Sequence, residues 1–185
     1  MRIIGGKYRG RRLIVPRGLA VRPTADRVRE AIFNILGPGV EGRKVLDLFA
    51  GTGALGLEAM SRGAIRAVFV DKRPEALAAI NRNIDALGLK ESTRILKIDL
   101  NRGPGPLKNE AKQFDLVFMD PPYCEDLIQR ALSMMVRFRL ASPDTLVVAE
   151  YWRKEDLSQI SKNWSLTEER IYGQTKVVFF VYKGS

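Results

Sequence analysis

The chain has 185 residues, 45% of them apolar and 28% charged, with 31 Lys and Arg against 21 Asp and Glu for a formal net charge of +10. That length holds one full α/β domain with a small appendage and excludes two large domains. One cysteine, Cys124, excludes an intrachain disulfide, and the absence of histidine removes the commonest metal ligand and the commonest general base. Apolar runs such as Val177 to Tyr182 are too short to span a bilayer, and the N-terminus lacks a signal-peptide pattern. These features predict a cytoplasmic, monomeric protein with no metal and no membrane partner.

The charge is concentrated at the start of the chain. Residues 1–30 hold eight arginines and Lys7 against Asp26 and Glu30, a net +7 that leaves +3 for all the rest. A basic segment joined to a nearly neutral domain reads as a polyanion-binding arm, and the planar fork of arginine suits phosphates and bases. Lys7, Arg9, Arg11, Arg12, Arg22 and Arg27 are the expected nucleic-acid contacts; the competing reading is a tail that serves solubility. Within the arm, residues 2 to 15 show short β-like runs broken by Gly5-Gly6 and Gly10, which suggests a small hairpin. Pro23-Thr24 opens a helix, with Thr24 placed as its N-cap and Val28, Ala31, Ile32, Ile35 and Leu36 at helical spacing. Gly37-Pro38-Gly39 ends it, so residues 1–40 separate from a core domain over 41–185.

The core alternates strand and helix. Lys44 to Phe49, Arg66 to Asp71, Arg94 to Ile98, Phe114 to Met119 and Thr145 to Glu150 read as apolar strands. Between them lie a helix stopped by Gly63, a helix begun by Pro74 and capped by Gly88, and a helix with Leu127, Ile128, Ala131, Leu132, Met135 and Val136 as its buried stripe. Leu166 to Tyr172 and Lys176 to Tyr182 around Gly173-Gln174 read as a hairpin. The sum is an α/β fold: a seven-stranded, mostly parallel sheet, covered on both faces and closed by an antiparallel C-terminal hairpin. The link from Leu100 to Phe114 carries no recognisable motif.

Residues 45–56, VLDLFAGTGALG, set Gly51, Gly53 and Gly56 in a G-x-G-x-x-G pattern between a strand and a helix. Such a loop brings backbone N–H groups up to a ligand at a helix N-terminus. Asp71, at the end of the next strand, is placed to accept hydrogen bonds from ribose hydroxyls. These two features fit NAD as well as S-adenosylmethionine. Asp47 separates them: a carboxylate inside the strand before the loop repels a pyrophosphate and attracts the ammonium of S-adenosylmethionine. Asp99, ending the third strand, is placed to receive an adenine amino group.

Asp120-Pro121-Pro122-Tyr123 follows the fourth strand, and here the chain resembles the amino-methyltransferase superfamily. Two prolines stiffen the loop. The Asp120 carboxylate and the Pro121 carbonyl can then accept hydrogen bonds from one NH2 group, and Tyr123 offers a flat face on which a base stacks, worth ~1–3 kcal/mol. With an activated methyl supplied by S-adenosylmethionine, alignment is the main task, and positioning of that kind is worth roughly 7–11 kcal/mol. No histidine base is required. Cys124 is separated from a proline by Tyr123, unlike the Pro-Cys nucleophile of C5-pyrimidine methylation, and reads as structural.

The runs MRIIGGKYRGRRL, RPTADRVREAIFNIL and DLFAGTGALGLEAMSRGA, followed by DPPY, resemble the bacterial 16S ribosomal RNA guanine-N2 methyltransferase family over nearly the whole chain. The resemblance implies a Rossmann-like class I methyltransferase fold that methylates the guanine 2-amino group in small-subunit rRNA, within the subunit or an assembly intermediate. It implies catalytic roles for Asp120, Pro121 and Tyr123. It implies cofactor contacts from Asp47, Phe49, Ala50, Gly51, Thr52, Gly53, Asp71, Lys72, Asp99 and Leu100, with Arg22 to Arg29 near the site's mouth. From the residues alone, DPPY does not separate guanine N2 from adenine N6 or cytosine N4. Adenine-N6 methylation is the alternative enzyme reading, and an RNA-binding assembly factor that keeps the fold is the non-enzymatic one.

Overall fold

Five near-continuous apolar strands must bury both faces, so helices are needed on each side of the sheet they form. A computed structural model describes residues 1–16, 23–110, 114–122, 126–155 and 160–184, with backbone alone at 23–25. Its strands are β1 (Lys44–Leu48), β2 (Arg66–Asp71), β3 (Thr93–Lys97), β4 (Phe114–Met119), β5 (Ala141–Trp152), β6 (Trp164–Tyr172) and β7 (Thr175–Tyr182). The helices are α1 (Pro23–Leu36), α2 (Ala54–Ser61), α3 (Pro74–Leu87) and α4 (Leu127–Arg137). They build one seven-stranded sheet in the order β3-β2-β1-β4-β5-β7-β6. β1 to β5 pair in parallel, while β7 runs antiparallel to both β5 and β6. Gly173, at φ +60°, takes the first position of the two-residue β6–β7 turn, where a II′-type hairpin needs glycine. Among the described residues no helix is long and apolar enough to cross a membrane.

Alternation along the strands sorts the core into two layers. Val45, Phe69, Leu116, Phe118 and Val148 face α1, α2 and α3, where Phe33 packs its ring 5.6 Å from that of Phe118. Leu46, Val68, Val117, Val147 and Phe180 face the other way, onto α4 and its Ile128, Leu132 and Met135. α3 starts at Pro74 and ends at Gly88, which adopts φ +68° as a left-handed C-terminal cap.

Several expectations shift, among them the bounds of β3, which runs Thr93–Lys97 and not Arg94 to Ile98, and of β5, which runs Ala141–Trp152 and not Thr145 to Glu150 alone. The first strand stops at Leu48, because Phe49 turns to φ +64°. α1 begins at Pro23, so Thr24 lies inside it, and its core stripe uses fully buried Phe33 while Ile35 is 42% exposed. The motif-free link holds two short 3-10 turns and buries Leu107 and Glu110, whose carboxylate pairs with Arg66 (3.0 Å) and Arg94. Residues 2 to 15 form a single antiparallel bridge, Arg2 to Arg12, in place of a full hairpin.

That segment is shaped instead by docking onto the core. Glu58 of α2 is fully buried and accepts the N–H groups of Ile4 (2.7 Å) and Gly5 (2.8 Å) and the Arg62 guanidinium (2.8 Å). Ser61 closes the same helix end: its carbonyl accepts Lys7 N–H (2.7 Å) and its hydroxyl accepts Tyr8 N–H (2.9 Å). Asn83 of α3 binds both the N–H (2.7 Å) and the carbonyl (3.1 Å) of Ile14, as a neighbouring strand does. Ile3 and Leu13 are thereby buried in the same layer as α1.

Two glycines test this docking. Gly10→Ala, at φ +84° with nothing within 4 Å, should cost only the left-handed backbone preference, roughly 1–2 kcal/mol. In Gly6→Ala the new Cβ would sit 1.9 Å from the Ser61 carbonyl oxygen, so residues 3–13 should come away from α2. Amide hydrogen exchange at Ile3, Lys7 and Leu13 is expected to quicken in the Gly6 variant alone; equal protection in both variants contradicts the docking.

Candidate active site

β1 and β4 are neighbours although β2, β3 and two helices separate them in the chain, and the strand order runs outward from this pair in both directions. In open α/β sheets such a switch point leaves a crevice beyond the carboxyl ends of the strands. A cleft of about 400 Å³ lies there, reached by residues from the ends of β1, β2, β4 and β5.

Its floor is the turn after β1. Phe49 (φ +64°), Gly51 (φ +58°) and Gly53 (φ +75°) alternate through left-handed backbone, which points successive N–H groups in one direction. Two carboxylates hold the turn. Asp71 Oδ2 accepts Gly51 N–H (2.9 Å), and Asp47 Oδ2 accepts Gly56 N–H (2.9 Å) in the first turn of α2. Gly56 has to be glycine, since a Cβ would lie 2.4 Å from the Phe69 ring and 3.1 Å from Asp47 Oδ2. From α3, Asn83 also donates to the Thr52 carbonyl (3.2 Å), and Thr52 donates its hydroxyl to the Met1 thioether (3.3 Å). One amide therefore anchors the N-terminal segment and the glycine turn together.

Asp47 is 2% exposed, and burial raises its carboxyl well above the usual range, with Asp120 and Asp71 adding repulsion and the Gly56 N–H opposing the rise. Asp71 is more fully engaged: besides Gly51 it accepts Arg73 N–H (2.9 Å) and the Arg73 guanidinium (3.2 and 3.3 Å). Asp99 caps the turn that follows β3, accepting Asn101 N–H (3.2 Å) with Arg102 at 3.9 Å. A pocket so lined with carboxylates suits a ligand that brings a positive charge and several hydroxyl or amino donors, and opposes a pyrophosphate.

The cleft gathers Asp47, Phe49, Ala50, Gly51 and Thr52 from the first turn. Asp71 and Lys72 reach it from β2, Asp99 and Leu100 from β3, and Asp120 and Pro121 from β4. Gly53 stays buried beneath, donating to the Ala50 carbonyl (2.7 Å). Tyr123 and Arg22 lie outside the described residues. Lys7, Arg9, Arg11, Arg12 and Arg27 are exposed and stand apart from the cleft lining, and Arg11 donates to the Ala86 carbonyl (2.9 Å).

Beyond the expected residues the lining takes in Glu150 of β5 and Thr175 of β7, and it includes Arg29 of α1, the end of the stretch expected near the mouth. Arg29 is 3% exposed and ties α1 to the N-terminal segment through the Arg2 carbonyl (2.6 Å), while pairing with Asp26 of its own helix at 3.3 Å. Burial lowers its pKa, opposed by the charges of Asp26, Glu58 and Glu150. A polar residue inside an apolar helical stripe was the available signal for Asn83 and Glu58; nothing in the local pattern marked Glu150.

Residues 1–181 match the model of a family described as conserved hypothetical protein 95. The ribosomal RNA small subunit methyltransferase D of Escherichia coli is 33% identical over 174 residues, 94% of this chain and 86% of that protein. The solved structure of the Escherichia coli methyltransferase yhhF superposes with a TM-score of 0.87 at 31% identity, covering 100% of this chain and 99% of that one. A Salinibacter ruber RNA methyltransferase solved with S-adenosyl-L-homocysteine shares the fold, with a TM-score of 0.68 at 15% identity over 90% of this chain and 95% of that one.

The buried Asp47 makes stability depend on pH with a definite sign. Its folded pKa lies above its unfolded value, so between the two the native state holds more protons and stability falls as pH rises. Relative to Asp47→Asn, the wild-type protein is expected to lose stability progressively above about pH 4, measured by denaturant unfolding at each pH. A difference that stays constant, or that favours the wild type as pH rises, contradicts this environment for Asp47.

Proposed function

The chain belongs to the conserved hypothetical protein 95 family, that of the small subunit ribosomal RNA methyltransferases D, and from that membership we propose that it transfers a methyl group from S-adenosylmethionine to the N2 amino group of a guanine in 16S rRNA. The observation that carries the reading is the meeting of Asp120-Pro121 with Asp47 and the glycine turn in one cleft, across the β1–β4 switch point.

The cleft's chemistry fits the donor. Asp47, strained by burial, gains from a neighbouring ammonium; the Gly51 turn lies against the methionine portion. Asp71 takes the ribose hydroxyls as the half-exposed Arg73 side chain swings away, and Asp99 with Leu100 receives the adenine. Bound there, S-adenosylmethionine supplies a methyl already activated by a sulfonium. The chain's own residues do the rest. The Asp120 carboxylate and Pro121 carbonyl accept the two N–H bonds of the target amine, which sets the direction of its lone pair and opposes delocalisation into the ring. Tyr123 stacks on the base. After transfer, the surplus proton on nitrogen leaves through Asp120 or water. No metal enters this scheme.

Residues 1–40 serve as the RNA-binding arm of the domain formed by 41–185. Their inner side is fixed by Glu58, Ser61 and Asn83, which leaves Lys7, Arg9 and Arg12 outward on a rigid base. The substrate is the small subunit or an assembly intermediate, met by a monomer in the cytoplasm.

Incubation with labelled S-adenosylmethionine and unmodified small-subunit particles, followed by mass mapping, tests the reading. One N2-methylguanine is expected, lost in Asp120→Ala with thermal unfolding unchanged; label on an adenine, or near-normal turnover by the variant, contradicts it. In the same particles, neutralising Lys7, Arg9 and Arg12 should weaken binding and flatten its salt dependence, by ~0.7 in log–log slope for each single-strand phosphate that no longer meets a cation. An unaltered slope returns the arm to the solubility reading.

A further inference from the structure

β4 and β5 run in parallel with Met119 opposite Ala149. The next residues in each strand direction are Asp120 and Glu150, so two carboxylate-bearing residues emerge side by side, with strands roughly 4.7–4.9 Å apart. Phe118 and Val148, two residues earlier on each strand, both face the layer covered by α1. By the two-residue alternation of strands, Asp120 and Glu150 point to that same face, and both line the cleft. Glu150 is half-buried there, within electrostatic reach of Arg29 on α1. A carboxylate offers about four acceptor positions, so a protein partner leaves capacity for a ligand.

A second acceptor beside the Asp120–Pro121 pair matters because nucleobases differ in what flanks their amino group. In guanine the 2-amino group neighbours N1–H, so two donors lie next to each other. In adenine the ring nitrogens beside the amino group are acceptors, and in cytosine N3 is an acceptor. We propose that Glu150 is the residue that selects guanine, accepting its N1–H while Asp120 and Pro121 hold the 2-amino group. This assignment rests on the methyl-transfer reading above and supplies what the DPPY motif lacks, a way to tell one amino-bearing base from another. Adenine or cytosine in the same pose turns a ring lone pair toward the Glu150 carboxylate and leaves both unsatisfied. Sites built to receive a substrate N–H or O–H reject analogues that lack it by large factors, about 10⁴ or more in favourable cases.

2-Aminopurine keeps the 2-amino group but carries an acceptor at N1 and lacks O6, so the contact is read from how the Glu150 variant changes the guanine to 2-aminopurine ratio. Small-subunit particles reconstituted with guanine or 2-aminopurine at the methylated position are expected to differ at least ~100-fold in kcat/KM with the wild-type enzyme. Glu150→Gln, whose amide can present its oxygen to guanine N1–H or its NH2 to the bare N1, is expected to bring that ratio within about tenfold by losing the charge-assisted part of the guanine contact and gaining rate on 2-aminopurine. If Glu150 only braces Arg29 and α1, both substrates slow together and the ratio stays as it was, which overturns the assignment. A wild-type enzyme that methylates the two bases equally overturns it without any variant. Absence of methyl transfer to guanine by the wild type overturns the underlying reading, and this assignment with it, and is distinct from an unchanged ratio.

Discussion

Two buried carboxylates hold the turn after β1 in left-handed backbone, and the cleft depends on them. Asp71 on Gly51 N–H and Asp47 on Gly56 N–H brace a turn in which Phe49 holds φ +64°, which costs a non-glycine residue energy wherever it occurs. The turn in turn fixes the start of α2, and α2 carries Glu58 and Ser61 to the place where the N-terminal segment docks. A strand-end acid thus shapes both the floor of the site and the platform beneath the basic arm. The same Asp47 is uncomfortable alone, because burial strips its charge of water and its neighbours Asp120 and Asp71 are also acids. Repulsion of this kind is relieved by a cation, and an acid-lined crevice at a switch point is suited to receive one.

The basic arm is better described as a strap than as a tail. Its backbone is committed to α2 and α3 through Glu58, Ser61 and Asn83, while Lys7, Arg9 and Arg12 are left outside. Asn83 bonds both Ile14 and Thr52, so one side chain joins the strap to the glycine turn. A backbone fixed in advance loses less freedom on binding, which is what the proposed RNA-binding role asks of it.

The central strands could be read from the chain because their middles are apolar runs followed by an acid or a glycine; β2 and β4 were bounded to the residue. The acids at the site were readable for the same reason, since Asp71 and Asp120 close those runs. Docking of the strap was not, because its partners lie 53 to 69 positions away and a Gly-Gly pair between β-like runs looks locally like a turn. Phe33 displaced Ile35 from the core because Phe118 and Arg62 lie on its side of α1, a fact of packing. Glu150 escaped notice because no glycine turn or proline motif accompanies it, and only the β4–β5 register sets it beside Asp120.

What binds the acid-lined crevice is the question on which the rest turns. Calorimetric titration of the purified chain with S-adenosylhomocysteine, and separately with NADH, addresses it without any RNA. Saturable one-to-one binding of the sulfur nucleoside and no heat from NADH is the predicted result. Binding of NADH, or of neither, contradicts the account.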